Sequence, residues 1–207
     1  MSVSNLPSHW QAPRLSGQHV TLEPLALEHA QGLALALEGD ELSQLWYTNV
    51  PNAADVATWV RAALAKQGQG IEVPFAVRDA DGVLAGSTRF YEVDSTVPKL
   101  SIGYTWYARR VQRTGLNTEA KLLLLTHAFE TLGCAAVYLE TSWFNHASRT
   151  AIARLGAKQD GVLRNHRRHA DGTMRDTVVF SIIDREWAGV KSNLVYRLEQ
   201  GERKHGQ

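Results

Sequence analysis

Gln112-Arg113-Thr114-Gly115-Leu116-Asn117-Thr118-Glu119-Ala120 (QRTGLNTEA) is the stretch that decides the fold. An apolar, strand-like run precedes it, Leu100 to Tyr107 (LSIGYTWY), and a strongly helical run follows it, Glu119 to Leu132, stopping at Gly133. Strand, short polar loop with one glycine, then helix: this order aims backbone N–H groups out of a helix start. Those unpaired donors, with the positive end of the helix dipole, favour an anion, phosphate above all. Gly115 has no Cβ to obstruct a ligand approaching the loop. Arg113 can add a charge-assisted bond to a phosphate oxygen. Taken alone, the pattern also fits an ordinary strand–helix turn.

Outward from the loop, 207 residues make one ordinary domain with room for terminal extensions. A hydrophobic content of 44% supplies a sizeable core, and a net charge of +1 argues against a general nucleic-acid or membrane surface. The single cysteine, Cys134, excludes an internal disulfide, fits a reducing compartment, and reads as a small buried hydrophobe. The start lacks a long apolar run, and no stretch approaches the ~18 residues of a membrane span. The expectation is a soluble cytoplasmic protein.

Residues 1–14 read as a loose arm. A first strand is expected over His19–Leu25, helices over Leu27–Leu37 and Asp55–Lys66, and strands over Pro74–Arg78, Leu84–Val93 and Lys99–Tyr107. Asp81-Gly82 signals a hairpin turn. After the loop and its helix come a strand over Ala136–Thr141, a helix over Ala147–Leu155, and a hairpin of Val162–His169 and Met174–Ile183 around Asp171-Gly172. Asp184 can cap a last helix on which Trp187, Val190, Leu194 and Leu198 share a face.

Gln112-x-x-Gly115-x-Asn117 resembles the pyrophosphate loop of the GCN5-related N-acetyltransferase (GNAT) superfamily. Thr118-Glu119-Ala120, Ile102-Gly103-Tyr104 upstream and Asn145-x-x-Ser148 downstream are similar to the branch that acetylates ribosomal-protein N-termini (RimJ/RimL-like). Gly86, Leu155-Gly156-Ala157 and Asp160-Gly161 add to the likeness, which runs from about Leu15 to Ile183. It implies an α/β fold: a splayed central mixed sheet flanked by helices over residues 15–183, with a helical extension over 184–207. It further implies acetyl-CoA as donor. The backbone of Trp106, Tyr107 and Ala108 would lie along its pantetheine arm, the stretch Gln112, Arg113, Thr114, Gly115, Leu116, Asn117 and Thr118 against its pyrophosphate, and Asn145 against the cofactor.

Two slots of the superfamily depart. Where many members carry a tyrosine that protonates the leaving thiolate stands Ile152, and where many carry a glutamate before Ile-Gly stands Ser101. The remaining candidates are Ser148 as proton donor and Glu92 or Glu140 as base. Trp46, Tyr47, Arg89, Tyr91 and Tyr104 could wall an acceptor pocket, or serve as core aromatics. His166 and His169 lie an odd offset apart on a strand and make poor joint metal ligands, so no metal is expected. Arg164, Arg167 and Arg168 form a basic stripe, either a solvated hairpin face or a dock for an acidic partner.

The expected activity is acetyl transfer to a primary amine by direct attack. The favoured acceptor is the α-amine of a protein N-terminus or of an amino-acid-like small molecule. An acyl-CoA-binding module without catalysis and an antibiotic-type amine acetyltransferase are the alternatives. A monomer or homodimer is expected.

Overall fold

A computed structural model describes residues 11–205, the segment 202–205 by backbone alone. Most of the expected N-terminal arm, residues 1–10, lies outside the described residues. The part described is anchored: Ala12 packs on the core and Arg14 pairs with Glu23 at 2.8 Å.

Among the described residues, eight strands form one sheet: β1 (Leu15–Ser16), β2 (Val20–Pro24), β3 (Glu72–Asp79), β4 (Leu84–Asp94), β5 (Lys99–Tyr107), β6 (Ala136–Ser142), β7 (Lys158–Arg168) and β8 (Met174–Ile183). Their spatial order is β1-β2-β3-β4-β5-β6-β8-β7. Five helices cover it: α1 (Ala30–Ala36), α2 (Val56–Gly68), α3 (Leu116–Thr126), α4 (His146–Leu155) and α5 (Asp184–His205). The mixed, helix-flanked sheet is the architecture expected from the resemblance.

Several boundaries move, each for a local reason. The first helix opens as a 3-10 turn, Leu27–His29, before α1, and the helix after the glycine loop starts at Leu116 and passes into a π turn over His127–Thr131. That π turn is closed by Leu132 N–H bonding His127 O at 3.0 Å, and Gly133 follows at φ +65°. The strand expected from Val162 begins instead at Lys158, because Lys158 and Gln159 already pair with Ser181 and Phe180 of β8.

The sheet splits the core in two. Leu100, Ile102, Leu124, Val137, Val178 and Ile182 belong to the larger cluster, which Trp187, Val190 and Leu194 of α5 complete from α5. Leu33, Leu37, Val56, Val60, Ala76 and Trp106 form the second, beneath α1 and α2. Strict alternation would put Leu100, Ile102 and Trp106 on one face of β5. The left-handed φ of +52° at Tyr104 interrupts it, so Trp106 turns to the opposite core. Gly103 permits the close approach beside this irregularity: a Cβ there would come within 2.7 Å of the Tyr91 ring.

β5 and β6 are the parallel neighbours, and they pair over only three positions, Lys99↔Ala136, Leu100↔Val137 and Ser101↔Tyr138. Beyond Ser101 the strands diverge. From Ile102 onward β5 therefore offers backbone donors and acceptors to a cleft rather than to a neighbouring strand.

Candidate active site

The cleft between β5 and β6 holds a cavity of about 450 Å³. Tyr104, Trp106 and Tyr107 line it from β5, Glu140 and Ser142 from β6, and Ser148, Ala151, Ile152 and Leu155 from one face of α4. Gln112, Arg113 and Asn117 of the glycine loop complete that end.

The loop's shape comes from three interactions. Gln112 Nε2 donates to Tyr107 O at 2.9 Å, tying the loop to the end of β5. Thr114 Oγ1 donates to Val111 O at 2.7 Å and accepts from Leu116 N–H at 3.2 Å, capping the first amide of α3. Glu119 N–H bonds back to Gly115 O at 3.0 Å, leaving Asn117 and Thr118 amides among the open donors of a helix start. The residue in the left-handed region is Arg113, at φ +64°, while Gly115 takes ordinary helical angles. Gly115 matters for space: a Cβ there would lie 3.0 Å from the His19 ring. Ala108, expected beside the pantetheine arm, instead donates its N–H to Ala85 O at 2.7 Å and does not line the cavity.

Asn145 caps α4, its Oδ1 accepting Ser148 N–H at 3.0 Å, and lines the cavity as well. Ser148 also lines it, with Ile152 one turn further along, so the wall at the departed tyrosine position is apolar. Glu140 is the one carboxylate among the described lining residues; its Oε2 accepts from Arg167 Nη2 at 3.0 Å. Glu92 lies outside this cavity, at φ +52°, bonded by Ser101 Oγ at 3.0 Å and by Arg167 Nη2 at 3.2 Å. Arg167 thus gathers both candidate bases.

The expected acceptor wall divides. Tyr91 and Tyr104 line the cavity and pack edge to face at 5.4 Å. Burial, with Glu140 and Glu92 nearby, pushes the Tyr91 hydroxyl's pKa well up, keeping it protonated. Arg89 stands back: it is buried, ion-paired with Glu72, and stacked on Trp59 and Tyr104 at 4.3 and 4.6 Å. It braces the Tyr104 ring from behind. Trp46 does not line the cavity but packs edge to face on His169 at 4.8 Å, while Tyr47 lines it. His166 is exposed and His169 buried, so the two do not converge. Of the basic stripe, Arg164 pairs with Asp176 outside while Arg167 turns inward.

Lys121 and Arg175 line the cavity and were not among the residues expected from the sequence. Lys121 is buried on α3, its Nζ bonding Thr105 Oγ1 at 3.0 Å, and burial brings its pKa down to about 7. The signal was a lone lysine inside the apolar run of α3, Ala120-Lys121-Leu122-Leu123-Leu124-Leu125. Arg175 sits on β8 opposite Arg167, and nothing local in the sequence marks it.

Among the described residues, no helix is long and apolar enough to cross a membrane. The acetyltransferase (GNAT) domain profile matches residues 19–158. The protein named "Putative ribosomal N-acetyltransferase YdaF", of Bacillus subtilis, is 29% identical over 183 residues, covering 84% of this chain and 96% of its own. A GCN5-related N-acetyltransferase from Brucella melitensis superposes with a TM-score of 0.82 at 28% identity, over 91% of this chain and 86% of that one. RimJ of Mycobacterium smegmatis, solved with CoA-disulfide, shares the fold at a TM-score of 0.75 and 20% identity, over 91% and 96% of the two chains. With a strand–loop–helix turn beside a splayed sheet, and two thirds of its length matched, this chain belongs to the GNAT family of N-acetyltransferases.

Proposed function

We propose that the protein transfers the acetyl group of acetyl-CoA directly to an α-amine, either a protein N-terminus or an amino-acid-like small molecule. The observation that carries this reading is the divergence of β5 from β6 onto the Gln112–Thr118 loop. Acetyl-CoA, when bound, supplies a thioester open to attack by an amine. The free edge of β5 beyond Ser101 can bond an extended arm as a neighbouring strand would. The amides at the start of α3 and the Arg113 guanidinium suit a pyrophosphate. Ser148, whose amide is spent on Asn145, keeps its hydroxyl for the departing sulfur, a role Ile152 cannot fill.

The acceptor follows from proton costs. A lysine with pKa ≈ 10.4 needs about 4.6 kcal/mol to become neutral at pH 7, whereas an α-amine at ≈ 7.7–8.0 needs about 1–1.4 kcal/mol. Glu140, the lining carboxylate, is held by Arg167, and Glu92 lies outside the cavity. A site with no uncommitted carboxylate suits the smaller cost.

The test is a pH–rate profile on matched peptides, one with a free α-amine and blocked lysine, the other reversed. The α-amine peptide should react faster at pH 7, with the rate rising toward the acceptor's own pKa. Glu92→Gln should change little, and Ser148→Ala should slow the reaction roughly a hundredfold. Faster acetylation of the lysine peptide at pH 7 would overturn the α-amine assignment. Tight acetyl-CoA binding with no thiol release on any amine would favour an acyl-CoA-binding module instead.

A further inference from the structure

The β7–β8 hairpin brings two guanidiniums to the cavity, and only one of them is matched. Arg167 bonds Glu140 at 3.0 Å and Glu92 at 3.2 Å. Arg175, its partner across the hairpin, has no ion pair with a described carboxylate, and its Nε is buried with no hydrogen-bond partner among the described residues. Alternation along β8 explains its aim. Val178, Phe180 and Ile182 face the larger core, so Arg175 and Thr177 face the other side, with Glu140 of β6. Burial and the neighbouring Arg167 hold its pKa below the usual arginine value, and Glu140 opposes them, as expected of a cation short of counter-charge.

A half-buried guanidinium whose buried Nε makes no hydrogen bond is costly, and its planar fork fits a carboxylate. A protonated amine cannot supply the missing partner, because it has no lone pair to offer and is itself repelled. One spare guanidinium balances the single charge of a carboxylate, whereas a phosphate monoester at nearly two charges would need Arg167 as well. Arg167 is committed.

From the unpaired Arg175 in the cavity wall, we infer that the acceptor carries a carboxylate close to its amine, and that Arg175 binds it. The inference rests on the acetyl-transfer reading of this cavity. It makes Arg175 a specificity residue: amines with a neighbouring acid are selected, and their amide analogues are not.

Two matched pairs test it and separate the sources of the acid: L-serine against L-serinamide, and the peptide amides Ser-Asp-Gly-NH2 against Ser-Asn-Gly-NH2. Acetylation kcat/KM is measured for each, and calorimetric binding of the corresponding N-acetyl products, which needs no turnover, is measured alongside. The acidic member of one pair should win by roughly tenfold or more, the scale of one charged hydrogen bond. That preference should vanish in Arg175→Gln and partly return in Arg175→Lys, with acetyl-CoA affinity unchanged and melting temperature not lowered in either. Equal rates and equal binding within both pairs overturn the inference, as does a preference that survives Arg175→Gln. If acidic products bind through Arg175 while no acceptor releases thiol, the carboxylate assignment stands and the transferase reading falls.

Discussion

Two regions line the same cavity and are built differently. β5 and the glycine loop present mostly backbone: an unpaired strand edge beyond Ser101 and the open amides at the start of α3. The β7–β8 hairpin and β6 present side chains, namely Arg167, Arg175 and Glu140. Backbone groups recognise what all substrates of one enzyme share, here a donor with a constant scaffold. Side chains recognise what differs, and they can be exchanged without disturbing the sheet. On the proposed function, the donor would lie along the first region and the acceptor against the second.

α5 joins the two, packing on α3 of the first region and on β8 of the second. Its Trp187, Val190 and Leu194 are buried, Leu198 is half-buried, and Trp187 Nε1 donates to Glu130 at 2.7 Å. Truncation after Asp184 should therefore have the largest effect. Losing three buried apolar side chains removes roughly 5 kcal/mol or more, comparable with a small domain's whole stability. Unfolded or aggregated protein in a thermal melt is the expected outcome; an unchanged melting temperature would show that neither region needs the helix.

Donor binding sharpens the contrast next. Gly115→Val puts branched bulk where even a Cβ lies 3.0 Å from the His19 ring, and should displace the loop. Acetyl-CoA affinity should fall about thirtyfold or more, while Arg113→Ala, which removes one charged contact, should cost about 1–2 kcal/mol. Calorimetric titration with acetyl-CoA measures both. Equal losses would mean that charge, not backbone, does the holding.

A pH-dependent effect on the fold concerns Lys121, where burial lowers the pKa from 10.5 to about 7. The unfolded chain then binds more protons than the folded one between pH 7 and about 10.5, so this group makes stability rise with pH across that window. Below pH 7 both states are charged and its penalty is complete. Lys121→Met should raise stability at pH 7 and remove a slope approaching roughly 1.4 kcal/mol per pH unit. Urea melts at pH 7, 8 and 9 would show it; parallel curves for the two proteins would mean Lys121 stays charged in the fold.

What could be read in the sequence was local. Strand, loop and helix around Gly115, the turns at Asp81-Gly82 and Asp171-Gly172, and the buried stripe of α5 each rest on periodicity or on one residue's conformational range. They reappear with shifted ends. The early start of β7 was not legible, because its pairing with β8, more than twenty residues on, sets it.

Within the site, Gln112 and Ser148 were legible because a short motif carries each. Arg89 lies outside the cavity lining, because Glu72, 17 residues earlier on the neighbouring strand, draws it into a buried ion pair. Arg175 was missed for the complementary reason. An arginine in Met174-Arg175-Asp176 looks like any surface residue of a hairpin until β6 and β8 pair and place it beside Glu140.

The sequence by itself determined the order of elements, the glycine loop and the family, because those depend on neighbours a few residues apart. Only the tertiary structure decided where β5 leaves β6, which face Trp106 takes after the irregularity at Tyr104, and that Arg175 enters the cleft without an ion pair to a described residue. The physical reason is one of range. Backbone geometry is fixed by local sterics and hydrogen bonding, whereas the pairing of charges in a cleft is fixed by strands that meet only after the sheet has formed.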